Sequence, residues 1–296
     1  MSEREGITIG EATREAASVL RRAGVAEARR EAASLLAHAI ERDRTFLITH
    51  AEERLARESA MTFHDYVERR AAGEPLQYIT GRQEFFSLDF EVTPDVLIPR
   101  PETELLVETA LRLLDEGQAG EGLAKEALVC DVGTGSGCIP VAVLHERGNV
   151  RAVGLDISPA ALSVAARNAA RHDVLERLSL IASDCFDALD ERHARFDLIV
   201  SNPPYVAAAA LEGLQREVRD HEPRVALTPG PDGLTIIRRL LTDSTRFLKR
   251  GGHLLIEIGY DQHEAVHQLI DTQAWQLQNI HKDLQGIPRT VALRKR

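Results

Sequence analysis

Cysteine is scarce in this sequence. Only Cys130, Cys138 and Cys185 occur in 296 residues, an odd number with no Cys-x-x-Cys spacing, which argues against a disulfide framework or a zinc knuckle. Basic residues are also in deficit. The 36 Lys and Arg stand against 46 Asp and Glu, a formal charge of −10, the wrong sign for a protein that neutralises phosphates non-specifically. No apolar run approaches the roughly 18 residues of a membrane span, and the N-terminus is charged from Glu3 onward, unlike a secretory leader. A cytoplasmic protein is expected, with no membrane and no direct nucleic-acid partner. Its length suits one large domain or two smaller ones.

What the first 75 residues do have is helical periodicity. Thr8-x-x-Glu11 fits a capping box ahead of an amphipathic segment with Ala12, Ala16, Val19 and Leu20 on one face, and Gly24 would end it. A second helix carries Ala32, Leu35, Leu36, Ala39 and Ile40, a third short one Phe46, Leu47 and Ile48, and another covers residues 59–72. Short helices with short connections predict a small bundle with nothing catalytic in it and a role in recognising a macromolecule. His38, His50 and His64 are scattered and read as ordinary residues rather than ligands. Gly73-Glu74-Pro75 then breaks the pattern. Phe86, Leu88, Phe90 and Val92 alternate with Ser87, Asp89 and Glu91, so residues 81–98 read as a hairpin-like connector. It leads into Ile98-Pro99-Arg100-Pro101-Glu102-Thr103-Glu104, where Pro101 suits a first helical position and the glutamates suit the positive end of the helix dipole. Arg100 and Glu102 fit helix-terminus or functional roles equally.

After a Gly-rich, acidic joint near residues 115–124, strand and helix signals alternate. Leu128-Val129-Cys130 leads into Asp131-Val132-Gly133-Thr134-Gly135-Ser136-Gly137, a glycine turn that lets backbone N–H groups approach a ligand. Cys138 stands where the dinucleotide fingerprint places its last glycine, which disfavours a nicotinamide cofactor. The strand Ala152-Val153-Gly154-Leu155 ends on Asp156, whose carboxylate can accept both hydroxyls of a ribose, while Ser158-Pro159 supplies the next helix cap. A third strand over residues 178–182 ends at Ser183-Asp184-Cys185-Phe186. Asp184 there suits an adenine amino group or a solvated turn, and Cys185 or Phe186 could pack on the ring. Residues 207–232, with His221-Glu222-Pro223-Arg224, form a long connection that could cover the site. A helix over 233–248, a strand over 253–258, a further helix and two final strands near 275–281 and 290–293 close the chain. His263-Glu264-Ala265-Val266-His267 matches a zinc-hydrolase pattern, yet it follows a Gly259-Tyr260 turn, and Val266, Leu269 and Ile270 give it a face suited to covering a sheet. No metal site is expected.

The chemistry is placed at Phe196-Asp197-Leu198-Ile199-Val200-Ser201-Asn202-Pro203-Pro204-Tyr205. Leu198, Ile199 and Val200 are the unbroken apolar run of a strand buried on both faces. The prolines end it and leave Asn202 at its carboxyl end, where open α/β sheets bind ligands. The Asn oxygen and the proline carbonyls can accept both hydrogens of a planar NH2 group, and Tyr205 could offer a stacking face. A loop in which Asn caps a turn and the prolines merely stop a strand is the alternative.

Asn-Pro-Pro-Tyr resembles the signature of S-adenosylmethionine-dependent amino-group methyltransferases that act on glutamine amides or on adenine and cytosine. Together with the glycine turn and Asp156, it has the order of a class I methyltransferase. Gly73-Glu74-Pro75-Leu76-Gln77-Tyr78-Ile79 and the segment Ile98 to Glu104 narrow the resemblance, over nearly the whole chain, to the HemK/PrmC family of glutamine methyltransferases that modify class-1 peptide chain release factors. The resemblance implies a Rossmann-like, seven-stranded, mostly parallel sheet over residues 101–296, a β-hairpin linker over 76–100 and a small all-α helical-bundle domain for substrate recognition over 1–75, in a monomer. It also implies that Gly133, Thr134, Gly135, Ser136 and Gly137 bind the methionine part of S-adenosylmethionine, Asp156 the ribose, and Asp184 and Cys185 the adenine. Asn202 would touch both cofactor and substrate, and with Pro203, Pro204 and Tyr205 would form the catalytic motif that grips the carboxamide. Relatives often carry a large aromatic at the position of Cys185, so Phe186 is the alternative there. A glutamine of a ribosomal protein, an adenine in DNA, or no reaction at all are the competing functions. The acidic chain shows neither the basic groove nor the target-recognition region a DNA enzyme needs.

Overall fold

The computed structural model describes residues 6–118, 126–192 and 195–296, so most of the expected acidic joint near 115–124 lies outside the described residues. Contacts group the chain into two units, Met1–Gly81 with Gln215–His221, and Arg82–Leu214 with Glu222–Arg296.

The first unit is helical. Its helices are α1 (Ile9–Arg22), α2 (Ala28–Ala39), α3 (Arg44–Thr49), α4 (Arg57–Ala71) and α5 (Leu76–Thr80). The capping box is formed: Glu11 N donates to Thr8 Oγ1 at 3.2 Å and Thr8 N to Glu11 Oε2 at 3.0 Å. Leu20, Leu35, Leu36, Phe63 and Val67 fill the core between the helices. Helix α5 was not expected. Pro75 sets its entry with φ −56°, and Gly81 at φ +70° ends it, so the helical unit runs six residues past the division expected at 75. The segment that joins this unit from the far side of the sequence carries α9 (Arg216–His221). Its Glu217 and Glu31 of α2 pair with the buried Arg70 at 3.0 and 2.5 Å. Burial lowers the pKa of such a guanidinium, and the two carboxylates more than offset it, so that it is raised overall.

The second unit opens with the hairpin β1 (Arg82–Phe85) and β2 (Leu88–Glu91). The alternating pattern is interrupted at Phe86 and Ser87, both left-handed at φ +53° and +60°. That is a two-residue turn matching the twist of the flanking strands. Phe86 N is tied down by Glu104 Oε1 at 2.9 Å. A 3-10 turn, Pro101–Thr103, leads into α6 (Glu104–Gln118). There follow β3 (Ala127–Val132), α7 (Cys138–Glu146), β4 (Val150–Asp156), α8 (Pro159–Arg171), β5 (Leu178–Ala182) and β6 (Phe196–Ser201). After the long connection with α9 and α10 (Arg224–Leu227) come α11 (Thr235–Phe247), β7 (Leu248–Glu257), α12 (His263–Leu269), β8 (Trp275–Lys282) and β9 (Pro288–Lys295).

The seven-stranded sheet has the order β5-β4-β3-β6-β7-β9-β8, parallel through β7, with β9 antiparallel between β7 and β8. This is the class I methyltransferase fold. Its strands are apolar on both sides because both faces are covered. Val129, Leu198, Val200 and Leu255 pack against α6 and α7, while their neighbours Cys130, Ile199, Leu254 and Ile256 pack against α11 and α12. Val266, from the zinc-like motif, is fully buried on that second face.

Asn168 of α8, also fully buried, fastens the hairpin to the glycine turn. Its Oδ1 accepts from Glu91 N at 2.7 Å, and its Nδ2 donates to the carbonyls of Glu91 at 3.0 Å and Ser136 at 2.9 Å. Asn168→Ala strands those groups without water and is expected to cost about 2 kcal/mol in urea denaturation. An unchanged midpoint would show that the three bonds are replaced without loss.

Candidate active site

Strands β3, β6 and β7 end at one level. Val200 pairs with Asp131 and Ser201 with Ile256, so the chain leaves β3 at Gly133, β6 at Asn202 and β7 near Glu257 along one edge. The buried Ser201 hydroxyl donates to the Val132 carbonyl at 2.7 Å and fixes the spacing between the first two exits. Between them opens a cavity of about 400 Å³, whose wall includes Gly133, Thr134, Gly135, Ser136, Asp156, Asp184, Cys185, Asn202, Pro203 and Pro204. The structure therefore brings these sequence-derived residues together. Gly137 lies off the wall and caps α7.

The glycine turn is held on its neighbour strand. Gly133, Gly135 and Gly137 have φ of +78°, +54° and +78°, a backbone that side-chain-bearing residues resist. The N–H groups of Gly133 and Thr134 both donate to the Leu155 carbonyl at 2.8 and 2.9 Å. Gly135 N donates to one oxygen of Asp156 at 2.8 Å and Ser158 N to the other at 2.9 Å. Burial raises the Asp156 pKa and these backbone donors oppose it. Each carboxylate oxygen keeps a further acceptor site for a hydroxyl. Beneath the turn, Asp131 is fully buried with neither oxygen hydrogen-bonded by the described residues, the Thr134 hydroxyl alongside included. Burial pushes this carboxyl up to about 7, with Thr134 opposing in part and the Asp156 charge adding to the rise. A cationic group on the turn would favour its ionised form. A glycine-rich turn, a diol-accepting carboxylate and an orphaned acid below fit the amino-acid and ribose parts of S-adenosylmethionine.

At the far corner, Arg239 of α11 donates to Asp184 Oδ1 at 2.7 Å and to the Asp184 carbonyl at 3.0 Å, and also pairs with Asp187. Cys185 sits at φ +48°, mostly buried on the wall, its thiol pushed up to about 11 by burial. Phe186 does not reach the cavity; it stacks on Phe247 at 5.0 Å in the core. Sequence reasoning missed Ile157, which follows Asp156, lines the cavity and is 57% exposed. Its one signal was an aliphatic residue between a strand end and a helix cap.

Asn202 donates from Nδ2 to Thr103 Oγ1 at 3.0 Å, and its Oδ1 takes no hydrogen bond from the described residues. Tyr205, expected to offer a stacking face, is not among the residues that line the cavity. Its phenol is buried close to Glu257, and burial, with that charge adding, pushes it up to about 12. What the residue contributes is its carbonyl, which accepts from Gln262 Nε2 at 2.9 Å. Gln262 is the N-cap of α12. The helix with the zinc-like pattern thus serves to hold the Asn-Pro-Pro-Tyr loop. Over the opening, Glu222 is buried and accepts from Arg100 Nη2 at 2.5 Å and Ile98 N at 3.4 Å, anchoring the connection whose Pro223, Val225 and Ala226 face the cavity.

Comparison with known proteins agrees with this geometry. Residues 11–81 match the model of the PrmC N-terminal domain and residues 123–291 that of a methyltransferase domain. The chain is 40% identical over 289 residues to a release factor glutamine methyltransferase of Koribacter versatilis, covering 98% of this chain and 99% of that protein. It is 44% identical over 263 residues to one of Moorella thermoacetica, covering 89% of each. A methyltransferase structure from Pyrococcus furiosus shares the fold at TM-score 0.51 and 14% identity, over 78% of this chain and 98% of that one.

Gly233 tests how tightly the Asn202 loop is set. It lies at φ +72°, and a Cβ there would overlap the Tyr205 carbonyl and crowd Gln262. Gly233→Ala should lower turnover about a hundredfold by shifting the loop on the order of 1 Å, while cofactor affinity by calorimetry stays within about threefold because the glycine turn is untouched. Full turnover would mean that the loop position is not set by this contact.

Proposed function

The chain belongs to the release factor glutamine methyltransferase family, and from that premise we propose that it methylates the side-chain amide nitrogen of the glutamine in the Gly-Gly-Gln motif of a class-1 peptide chain release factor. S-adenosylmethionine is the cofactor and supplies a methyl group on a positively charged sulfur. Gly133 to Ser136 would seat its methionine part, with Gly137 capping the helix that follows, and Asp156 would accept the ribose hydroxyls. Cys185 packs against the adenine, and Asp184 takes the adenine amino group with the carboxylate oxygen that Arg239 leaves. The helical unit, residues 1–75 in the sequence reading and up to Gly81 in the structure, selects the protein substrate. The hairpin links it to the catalytic unit, which begins near residue 101.

The observation that carries the reading is that Asn202 and Pro203, which can offer a side-chain oxygen and a carbonyl as acceptors, line the same cavity as the glycine turn. A carboxamide nitrogen is a poor nucleophile because its lone pair is delocalised. Two acceptors on its N–H bonds orient that lone pair toward the methyl group and carry part of the positive charge that develops on nitrogen. Pro204 keeps the loop extended and Tyr205 anchors it. The methylated amide is strongly acidic while it still holds both protons, so water suffices to take one and no dedicated base is needed. The protein would act as a cytoplasmic monomer without a nucleic-acid partner, and its charge of −10 supports the last of these. No helix among the described residues is long and apolar enough to cross a membrane.

With radiolabelled S-adenosylmethionine, a release factor should be labelled, and replacing the Gln of its Gly-Gly-Gln should abolish the signal. Label appearing instead in a ribosomal-protein preparation or in duplex DNA would redirect the substrate assignment. Asn202→Ala should lower the methyl-transfer rate by about two to three orders of magnitude with cofactor affinity nearly intact. Equal loss of both would mean that Asn202 acts structurally.

A further inference from the structure

Asn202 can present either its oxygen or its NH2 to a substrate, and only the oxygen can accept from a carboxamide NH2. Something must choose. Beside Asn202 stand two polar side chains that the proposed reaction does not use, Thr103, which also lines the cavity, and Glu257, each 2% exposed. Thr103 Oγ1 lies 3.0 Å from Asn202 Nδ2, and the Glu257 carboxylate stands near enough to feel that hydroxyl, its Oε2 buried without a hydrogen-bond partner among the described residues. Glu257 closes β7 one residue beyond the Ser201–Ile256 pair, beside Asn202.

We propose that Thr103 and Glu257 are positioning residues that set the orientation of the Asn202 amide, so that its oxygen faces the substrate only while Glu257 is ionised. The inference rests on the reading of Asn202 as the amide acceptor. A hydroxyl has one hydrogen and two acceptor sites, whereas an ionised carboxylate only accepts. Glu257 therefore takes the Thr103 hydrogen. Thr103 is left able only to accept, and Asn202 must offer it Nδ2, which turns Oδ1 to the cavity. Once protonated, Glu257 donates to Thr103, the Thr103 hydrogen is released toward Asn202 Oδ1, and the amide presents its NH2 to a group that is itself a donor.

The switch point is set by the surroundings of Glu257. Burial is the largest influence and raises its pKa to about 7; Thr103 and the guanidinium groups of Arg289 and Arg100 oppose the rise, and Glu102 adds to it. Tyr205 and Cys138 face the same carboxylate, and both stay neutral at that pH because their own pKa values lie near 12. A carboxyl raised from 4.5 to about 7 is protonated below that pH, so turnover should fall as pH drops through about 7. The same shift makes the folded state lose stability as pH rises across that window.

The test is turnover at saturating cofactor between pH 5.5 and 8.5, which keeps Asp131 and cofactor binding out of the measurement. Wild type should rise to a plateau above about pH 7. Glu257→Gln, whose amide can present either atom to Thr103, should be slower by about tenfold and flat with pH, with a thermal midpoint above wild type at pH 8 and level with it at pH 5. Thr103→Val should lower kcat by about tenfold to a hundredfold with substrate KM and cofactor Kd within about twofold, and Thr103→Ser, which keeps the hydroxyl, should recover most of the rate. Wild-type rates in both Thr103→Val and Glu257→Gln, with the wild-type pH profile retained, would overturn the proposal while a crippled Asn202→Ala leaves the amide-acceptor reading standing. A fully active Asn202→Ala would remove that reading and this inference with it.

Discussion

The hydrogen bond from the Ser201 hydroxyl to the Val132 carbonyl is the constraint on which the site depends. It joins the last turns of two adjacent parallel strands inside the core, so the glycine turn and the Asn202 loop leave the sheet at a fixed separation. Parallel pairing alone fixes register but leaves the exits free to splay. The hydroxyl closes that freedom, and the two halves of the site, one for a donor molecule and one for an acceptor group, inherit their spacing from it.

The acids gathered at this edge lie on the debit side of stability. Asp131 follows Cys130 on β3, Asp156 ends β4 and Glu257 ends β7, and burial raises the pKa of all three. A sheet designed only to fold would place apolar residues there. Their retention is intelligible because each sits behind or beside a group that must present a particular polarity to a ligand: backbone donors at Gly135 and Ser158, the cavity floor under the turn, and the amide of Asn202. Arg239 plays the matching part at the adenine corner, gathering Asp184 and Asp187 so that the turn carrying Cys185 holds its left-handed backbone.

Features written locally were legible in the sequence. The Thr8–Glu11 box, the Ser158-Pro159 cap, the third strand at 178–182 and the glycine turn each depend on residues within a few positions of one another, and the structure has them. The strand before Asn202 was legible because burial on both faces demands an unbroken apolar run. What escaped was non-local. Asn168 meets Glu91 from 77 residues away, Gln262 meets Tyr205 from 57, and Thr103 meets Asn202 from 99, and no window of sequence displays such pairs. Short elements escaped for a different reason. Five residues of α5 after Pro75 are too few for a periodicity, and the turn at Phe86–Ser87 uses residues whose propensities favour strand, held by Glu104 from another element. An aromatic next to a binding motif suggests stacking, and nothing in the sequence signals that the Tyr205 carbonyl accepts from Gln262.

The central claim is that a flat NH2 group is held by two oxygen atoms across from the glycine turn. The most direct measurement is a crystal structure of the protein with S-adenosylhomocysteine and a peptide containing Gly-Gly-Gln. The account predicts the glutamine nitrogen within hydrogen-bond distance, roughly 2.7–3.2 Å, of both Asn202 Oδ1 and the Pro203 carbonyl, with the cofactor sulfur in line on the opposite side. A glutamine bound with its oxygen toward Asn202, or a peptide seated away from this cavity, would contradict it.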